Sequence, residues 1–179
     1  MAVIENDPVI IDGKFCSEAT YEQLRQILKQ HQDITPTLAV ITIGDDPASA
    51  IYVKNKVKAC RDLGIEDYQV KLPETITEEE VEHEIVDLNN NDEIDGIMLQ
   101  LPLPKHLNPT VLSMMIDENK DVDCVNPRNV GLLSKDYNAL LPCTPRGIDI
   151  MLHAYNIPIE GKHVVIVGRS DIVGKPLAM

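Results

Sequence analysis

Four stretches of this 179-residue chain hold side chains whose types and spacing could do chemistry. In Tyr52-Val53-Lys54-Asn55-Lys56 a phenol and an ammonium stand four positions apart. On a helix that spacing puts both on one face. Such a pair can shuttle protons if burial lowers the lysine pKa. Gln100 follows the apolar run Gly96-Ile97-Met98-Leu99 and precedes Leu101-Pro102-Leu103-Pro104. If that run is a strand, the amide stands at its carboxyl end, where open α/β sheets bind ligands. Lys120-Asp121-Val122-Asp123 sets two acids two apart. They could hold a cation, or one could accept paired hydrogen bonds from an aminated heterocycle.

The fourth stretch is Gly168-Arg169-Ser170-Asp171-Ile172-Val173-Gly174-Lys175-Pro176. A glycine-containing turn between strand and helix can expose backbone N–H groups to a phosphate, with Arg169 and Ser170 placed to grip it. It is not a Walker A loop, which needs four residues between its glycines and then Lys and Ser/Thr. Here five residues separate Gly168 from Gly174, and Pro176 takes the hydroxyl position. Nor is it G-x-G-x-x-G. Taken singly, each stretch has a plain alternative: a solvated helix with several lysines, loop polarity, a solvated turn, an ordinary βα turn.

The elements that must position these residues read as alternating helix and strand. Asp12-Gly13-Lys14 marks a turn, and Leu24, Ile27 and Leu28 give Ala19 to His31 a helical period. Thr37 to Gly44 is a β-branched run that predicts a buried strand. Asp46 as cap and Pro47 as first residue predict a helix to about Leu63, stopped by Gly64. Asp67 to Leu72 predicts a second strand. Thr77 and Glu80 form a capping box opening a helix to about Asn90. Asp95 to Gln100 predicts a third strand, which Pro102 and Pro104 cannot continue. Asn108-Pro109 opens another helix, and Lys120 to Leu133, with Pro127 and Gly131, reads as a loop. Thr144 as cap and Pro145 as first residue predict a helix bearing Ile148, Met151, Leu152 and Tyr155 on one face. His163 to Gly168 predicts a buried strand. The alternation implies α/β architecture: an open, mostly parallel sheet with helices on both faces.

Composition excludes other classes. Sixteen basic and 29 acidic residues give a net charge of −13. That repels nucleic acid and anionic lipid. One Phe, five Tyr and no Trp offer few base-stacking platforms. No apolar run reaches the ~20 residues of a membrane span, and Met1 to Asp7 lacks the features of a signal peptide. A cytoplasmic protein is expected. Cys16, Cys60, Cys124 and Cys143 are too dispersed for metal-ligand spacing and are expected to be buried or partly buried thiols, with no metal site.

In this order, the stretches resemble one family: the bifunctional methylenetetrahydrofolate dehydrogenase/methenyltetrahydrofolate cyclohydrolases. The resemblance runs through Gly44-Asp45-Asp46-Pro47-Ala48-Ser49, Tyr52 to Lys56, Asp95 to Pro104, Lys120 to Asp123, Pro142-Cys143-Thr144-Pro145, Gly161-Lys162 and Gly168 to Pro176. It implies a folate-binding catalytic domain over residues 1–140. Over 141–179 it implies a linking helix and the start of a Rossmann-like dinucleotide-binding domain. It also implies hydride transfer from methylenetetrahydrofolate to NADP, NAD not being excluded, and hydration of the product to formyltetrahydrofolate. On the matched positions, Lys56 is the acid/base, Tyr52 shapes the folate site, and Gln100 hydrogen-bonds Lys56. Leu99, Leu101 and Pro102 join the folate site and Asp123 holds the pterin. Gly168, Arg169, Ser170, Val173, Gly174 and Pro176 meet the cofactor. Partners implied are a small-molecule folate and, at full length, a second copy in a homodimer. Family members are longer, so this chain is expected to be truncated and to show little dehydrogenase activity. The alternative is a folate-binding or regulatory fragment; another is a dehydrogenase lacking the hydration step. One departure stands out: Cys124 occupies the position after Asp123 where the family has glycine.

Overall fold

The computed structural model describes residues 9–137 and 139–179, and for residues 47–50 the backbone alone. The stretch Met1 to Asp7 and the side chains of Ala48 and Ser49 therefore lie outside the described residues. In chain order the elements are α1 (Gly13–Gln30), β1 (Thr37–Ile43), α2 (Pro47–Leu63), β2 (Glu66–Leu72), α3 (Glu78–Asn90), β3 (Gly96–Leu99), α4 (Pro109–Met115), α5 (Pro127–Ser134), α6 (Cys143–Ala154) and α7 (Gly174–Ala178).

The three strands form one parallel sheet in the order β2-β1-β3, with Ile41 opposite both Val70 and Leu99. The chain steps one way from β1 to β2 and back across β1 to β3. Right-handed crossovers in opposite directions put α2 and α3 on opposite faces. The side chains agree. Ala39, Ile41, Ile43, Val70, Ile97 and Leu99 join Val81, Ile85 and Leu88 of α3 and Leu112 of α4 in one dry core. Val81, Ile85 and Leu88 recur at four and then three residues, the apolar stripe of an amphipathic helix. The capping box at Thr77 and Glu80 is complete, and Glu80 is held below the usual carboxylate range by the Thr77 N–H and hydroxyl. The opposite face carries Val40 and Met98, which are paired in register, and looks toward α2.

Four elements depart from expectation. The first helix starts at Gly13, not Ala19, because Asp12 caps it: its Oδ1 accepts from Lys14 N–H at 2.9 Å and Phe15 N–H at 3.3 Å. Its apolar stripe is half open, with Ile27 53% exposed; α1 packs chiefly against α2 and α6. The segment expected as a loop contains α5, capped by Asn126 with Pro127 at its first turn. That is the same Asn-Pro signal that opens α4, and Gly131 sits inside the helix with nothing near its missing Cβ. The next helix opens at Cys143 with Pro142 at the cap and no side-chain cap, so Thr144 does not cap it. Pro145 then lies third in the helix, where the missing N–H had no intrahelical partner to lose.

The fourth departure is the largest. His163 to Gly168 is neither a strand nor buried; Val164, Val165 and Val167 are 60%, 73% and 99% exposed. A strand exists only by pairing, and no described segment pairs with this one.

Candidate functional site

Lys56 projects from α2 onto the β1–β3 face. Its Nζ donates to Gln100 Oε1 at 3.1 Å and contacts Met98 Sδ at 2.9 Å. Gln100 stands one residue beyond β3, tied to the sheet by its own N–H to Ile41 C=O at 2.9 Å. Its Nε2 donates to Leu101 C=O at 2.6 Å. The amide is thereby oriented: flipping it would set oxygen against oxygen and turn its N–H₂ on an ammonium. A lysine nitrogen has three such directions. Two are spent on Gln100 and Met98, leaving the third for the cavity that Lys56 lines.

That cavity measures about 950 Å³, within the range of small-molecule sites. Tyr52, one turn before Lys56 on the same helix, shares its wall. Leu99, Gln100 and Leu101 border it from the sheet end, and Asp123 from the loop before α5. Of the residues expected at the substrate site, only Pro102 is absent from the walls; it follows a cis peptide bond and is exposed. Leu99 is only 5% exposed and packs chiefly in the core. Sequence reasoning did not assign Met98, Asp121, Cys143 or Ile172 to these walls. Met98 is legible from strand alternation, two residues before Gln100 and on the same face. The others required the tertiary fold.

Asp123 is brought to the cavity by a loop running along the β3 edge. Ile97 N–H donates to Lys120 C=O at 2.7 Å, and Ile97 bridges Asp121 in parallel. Gly96 permits this approach, since a Cβ there would meet Val122 Cγ1 at 2.6 Å. Burial pushes the Asp123 carboxyl above its ordinary value, with Asp121 adding to the rise; Lys56 and a hydrogen bond from the Cys143 thiol oppose it. The Cys143 thiol is itself pushed up by partial burial of its sulfur at the rim and by the Asp123 charge. Its Sγ lies 3.8 Å from Val122 C=O. Cys143 is the exposed one of the four cysteines; Cys16, Cys60 and Cys124 are buried. Cys124, next to Asp123, has a left-handed backbone with φ 56°, the conformation glycine adopts most readily. Burial and Asp121 push its thiol up to about 11.

The Gly168–Pro176 turn stands at the other end of the chain and contributes Ile172 to the same cavity. Gly168 has φ 150°, and a Cβ on Gly174 would meet Gly168 C=O at 2.6 Å and Arg169 N at 2.7 Å. The turn is therefore folded tightly enough to demand glycine at both ends. Ser170 Oγ accepts from the N–H groups of Val173 and Gly174 at 3.2 and 3.3 Å, which leaves its proton to donate. Lys175 pairs with Asp171, and Arg169 is exposed. Tight glycine turn, free hydroxyl proton and exposed guanidinium fit a phosphate-bearing dinucleotide. Among the described residues no three His, Cys, Asp or Glu side chains converge as a metal would require.

Comparison with known proteins gives the chain a family and a fold. The family model for the tetrahydrofolate dehydrogenase/cyclohydrolase catalytic domain matches residues 11–123, and that for the NAD(P)-binding domain matches 142–179. The "Bifunctional protein FolD" of a Nitratiruptor species is 46% identical over 94% of this chain and 61% of its own length. That of Aliarcobacter butzleri is 47% identical over 95% and 60%. The chain thus spans about 60% of the length of the curated relatives it matches. Among solved structures, the bifunctional FolD dehydrogenase/cyclohydrolase of Campylobacter jejuni superposes with a TM-score of 0.90 at 44% identity, covering 95% of this chain and 61% of that one. The Trypanosoma brucei enzyme, complexed with NADP cofactor and inhibitor, gives 0.89 at 34% identity, with 95% and 59% coverage. By residues and by fold, the chain belongs to the tetrahydrofolate dehydrogenase/cyclohydrolase family.

Proposed function

We propose that the protein this chain represents oxidises methylenetetrahydrofolate to methenyltetrahydrofolate with NADP and hydrolyses that product to formyltetrahydrofolate. The observation that carries the reading is Lys56 Nζ fixed by Gln100 Oε1 on a cavity that also holds Tyr52 and Asp123. Asp123 accepts hydrogen bonds from the pterin's amino and ring N–H groups. Tyr52 packs beside the pterin and orients the one-carbon bridge toward Lys56. In the hydration step Lys56, as free amine, takes a proton from the water that adds to the methenyl carbon. As ammonium it returns a proton to the ring nitrogen when the carbon–nitrogen bond breaks. Gln100 keeps the amine aimed through both transfers. Positioned proton transfer of this kind contributes about 10²–10⁴-fold.

Arg169, Ser170 and the Gly168–Gly174 turn, with Val173 and Pro176, hold the dinucleotide, as the NADP described with the Trypanosoma brucei relative suggests. When bound, NADP supplies the hydride acceptor; the protein's part is to bring folate and nicotinamide together. Residues 1–140 serve the folate and 141–179 open the cofactor domain. A homodimer working in the cytoplasm completes the reading; no helix of the described residues is long and apolar enough to cross a membrane.

Lys56→Ala tests the proposal. Hydrolysis of methenyltetrahydrofolate, followed by absorbance, should fall about a hundredfold or more, while folate affinity stays within a few-fold. Persistence of hydrolysis overturns the role of Lys56. A second reading, a folate-binding fragment without dehydrogenase activity, is favoured by residues 163–168, which pair with no strand among the described residues. It expects this 179-residue chain to bind folate with an affinity that NADP does not change.

A further inference from the structure

The sequence presents Asp121 and Asp123 as a pair, and the folate reading uses only the second. Asp121 is fully buried, at 0% exposure. Its Oδ1 accepts from Val125 N–H at 3.1 Å. Its Oδ2 accepts from Asn126 N–H at 2.8 Å and from Asn129 Nδ2 at 3.0 Å. The amide of Asn129 is buried too and also donates to Glu118 C=O at 2.9 Å. Among the described residues no ion pair reaches Asp121. A buried carboxylate without a cation is a costly way to fill space. The three converging N–H groups explain it: they need a side chain that only accepts. An asparagine would turn its own N–H₂ against one of them.

The captured N–H groups immediately follow Cys124, the residue with φ 56°. For a side chain other than glycine that conformation costs roughly 1–2 kcal/mol. The hydrogen bonds from Val125 and Asn126 close a ring over Val122, Asp123 and Cys124, and that ring is what holds the turn. Its other side is fixed to β3 by the Ile97 to Lys120 hydrogen bond and the close packing at Gly96. Asp123 rides in the middle.

We propose that Asp121 is a positioning residue for pterin recognition: through Val125, Asn126 and Asn129 it holds the turn at Cys124 and so aims Asp123 into the cavity. The inference rests on the folate reading of the site. A glycine at this position would form the turn at less cost; with Cys124 the chain leans more heavily on Asp121.

The test measures tetrahydrofolate affinity by calorimetry for the chain as it stands, for Asp121→Asn, and for Asp121→Asn combined with Cys124→Gly. Asp121→Asn should weaken binding about tenfold, the size of one charge-assisted hydrogen bond, and in turnover should raise KM more than it lowers kcat. Adding Cys124→Gly should restore affinity to within about threefold of wild type, because glycine enters the left-handed turn unaided. A purely structural Asp121 would lower the melting temperature without changing folate affinity, and the glycine would rescue nothing. Either outcome overturns the inference. If wild type binds no folate, the folate reading falls and this inference with it. If Asp121→Asn does not fold, Asn129→Ala keeps the carboxylate and removes one donor; it should weaken binding about threefold, and wild-type affinity there overturns the inference.

Discussion

Leu38-Ala39-Val40-Ile41-Thr42-Ile43-Gly44 and Val164-Val165-Ile166-Val167-Gly168 carry the same pattern: a dense, largely β-branched run ending at glycine, with a helix to follow. The first becomes the central strand of the sheet, with Ala39, Val40 and Ile41 at most 1% exposed. The second runs open, with Val167 99% exposed. Both glycines adopt positive φ, 74° at Gly44 and 150° at Gly168, so the local turn chemistry is satisfied in each. What differs is company. The first run has β2 on one edge and β3 on the other, and helices α2 and α3 over its faces. The second has none of these among the described residues. Strand propensity is a fit to a paired, half-buried surface rather than a property of the backbone alone.

That contrast can be broken or sharpened by measurement. Hydrogen exchange should show the largest effect: amides of Ala39 to Ile43 protected at least about a thousandfold more than those of Val164 to Val167. Equal protection of the two runs would sink the comparison. In a protein extended to the length of its relatives, protection appearing at 164–167 would show that pairing, not sequence, was missing. Next in size are side-chain truncations. Ile41→Ala should cost about 2–5 kcal/mol in a urea melt, whereas Val167→Ala should stay within roughly 0.5 kcal/mol. A comparable loss at Val167 would mean that the second run is buried in solution.

The smallest effect concerns Asp123, on the loop along the β3 edge. Burial holds its carboxyl above the ordinary value, so the folded chain binds that proton more tightly than the unfolded chain. Its ionised form therefore costs stability, increasingly as pH rises through the ordinary carboxylate value and on through the raised folded value. Asp123→Asn should melt higher than wild type at neutral pH, with the difference vanishing below about pH 3, where both forms of the residue are neutral. It should also bind folate more weakly. A lower melting temperature at neutral pH would show that Asp123 contributes to the fold rather than drawing on it.

Much of this site is legible because its signals are local. Tyr52 and Lys56 share a helix face by spacing alone, and Gln100 sits where a strand must end because prolines follow. Thr77 and Glu80 announce their own capping box. The Asn-Pro at 126–127 is equally legible; Gly131 argues against the helix it opens, although glycine within a helix costs only about 1 kcal/mol. Ser170 reads as a residue facing a phosphate; its oxygen is already engaged by the turn it belongs to, and only its proton is left over.

By itself the sequence determined the helix–strand alternation, the parallel sheet, the shared helix face of Tyr52 and Lys56 and the glycine turn, since each follows from periodicity, caps or the stereochemistry of a few adjacent residues. Only the tertiary structure decided which of two like runs would be a strand and which acid of Asp121 and Asp123 would be buried in a cage of N–H groups. It alone set Met98 against Lys56 and brought Cys143 and Ile172 to the cavity that Lys56 lines. Those outcomes depend on partners distant in the chain, and a burial or a pairing belongs to both members of a contact at once.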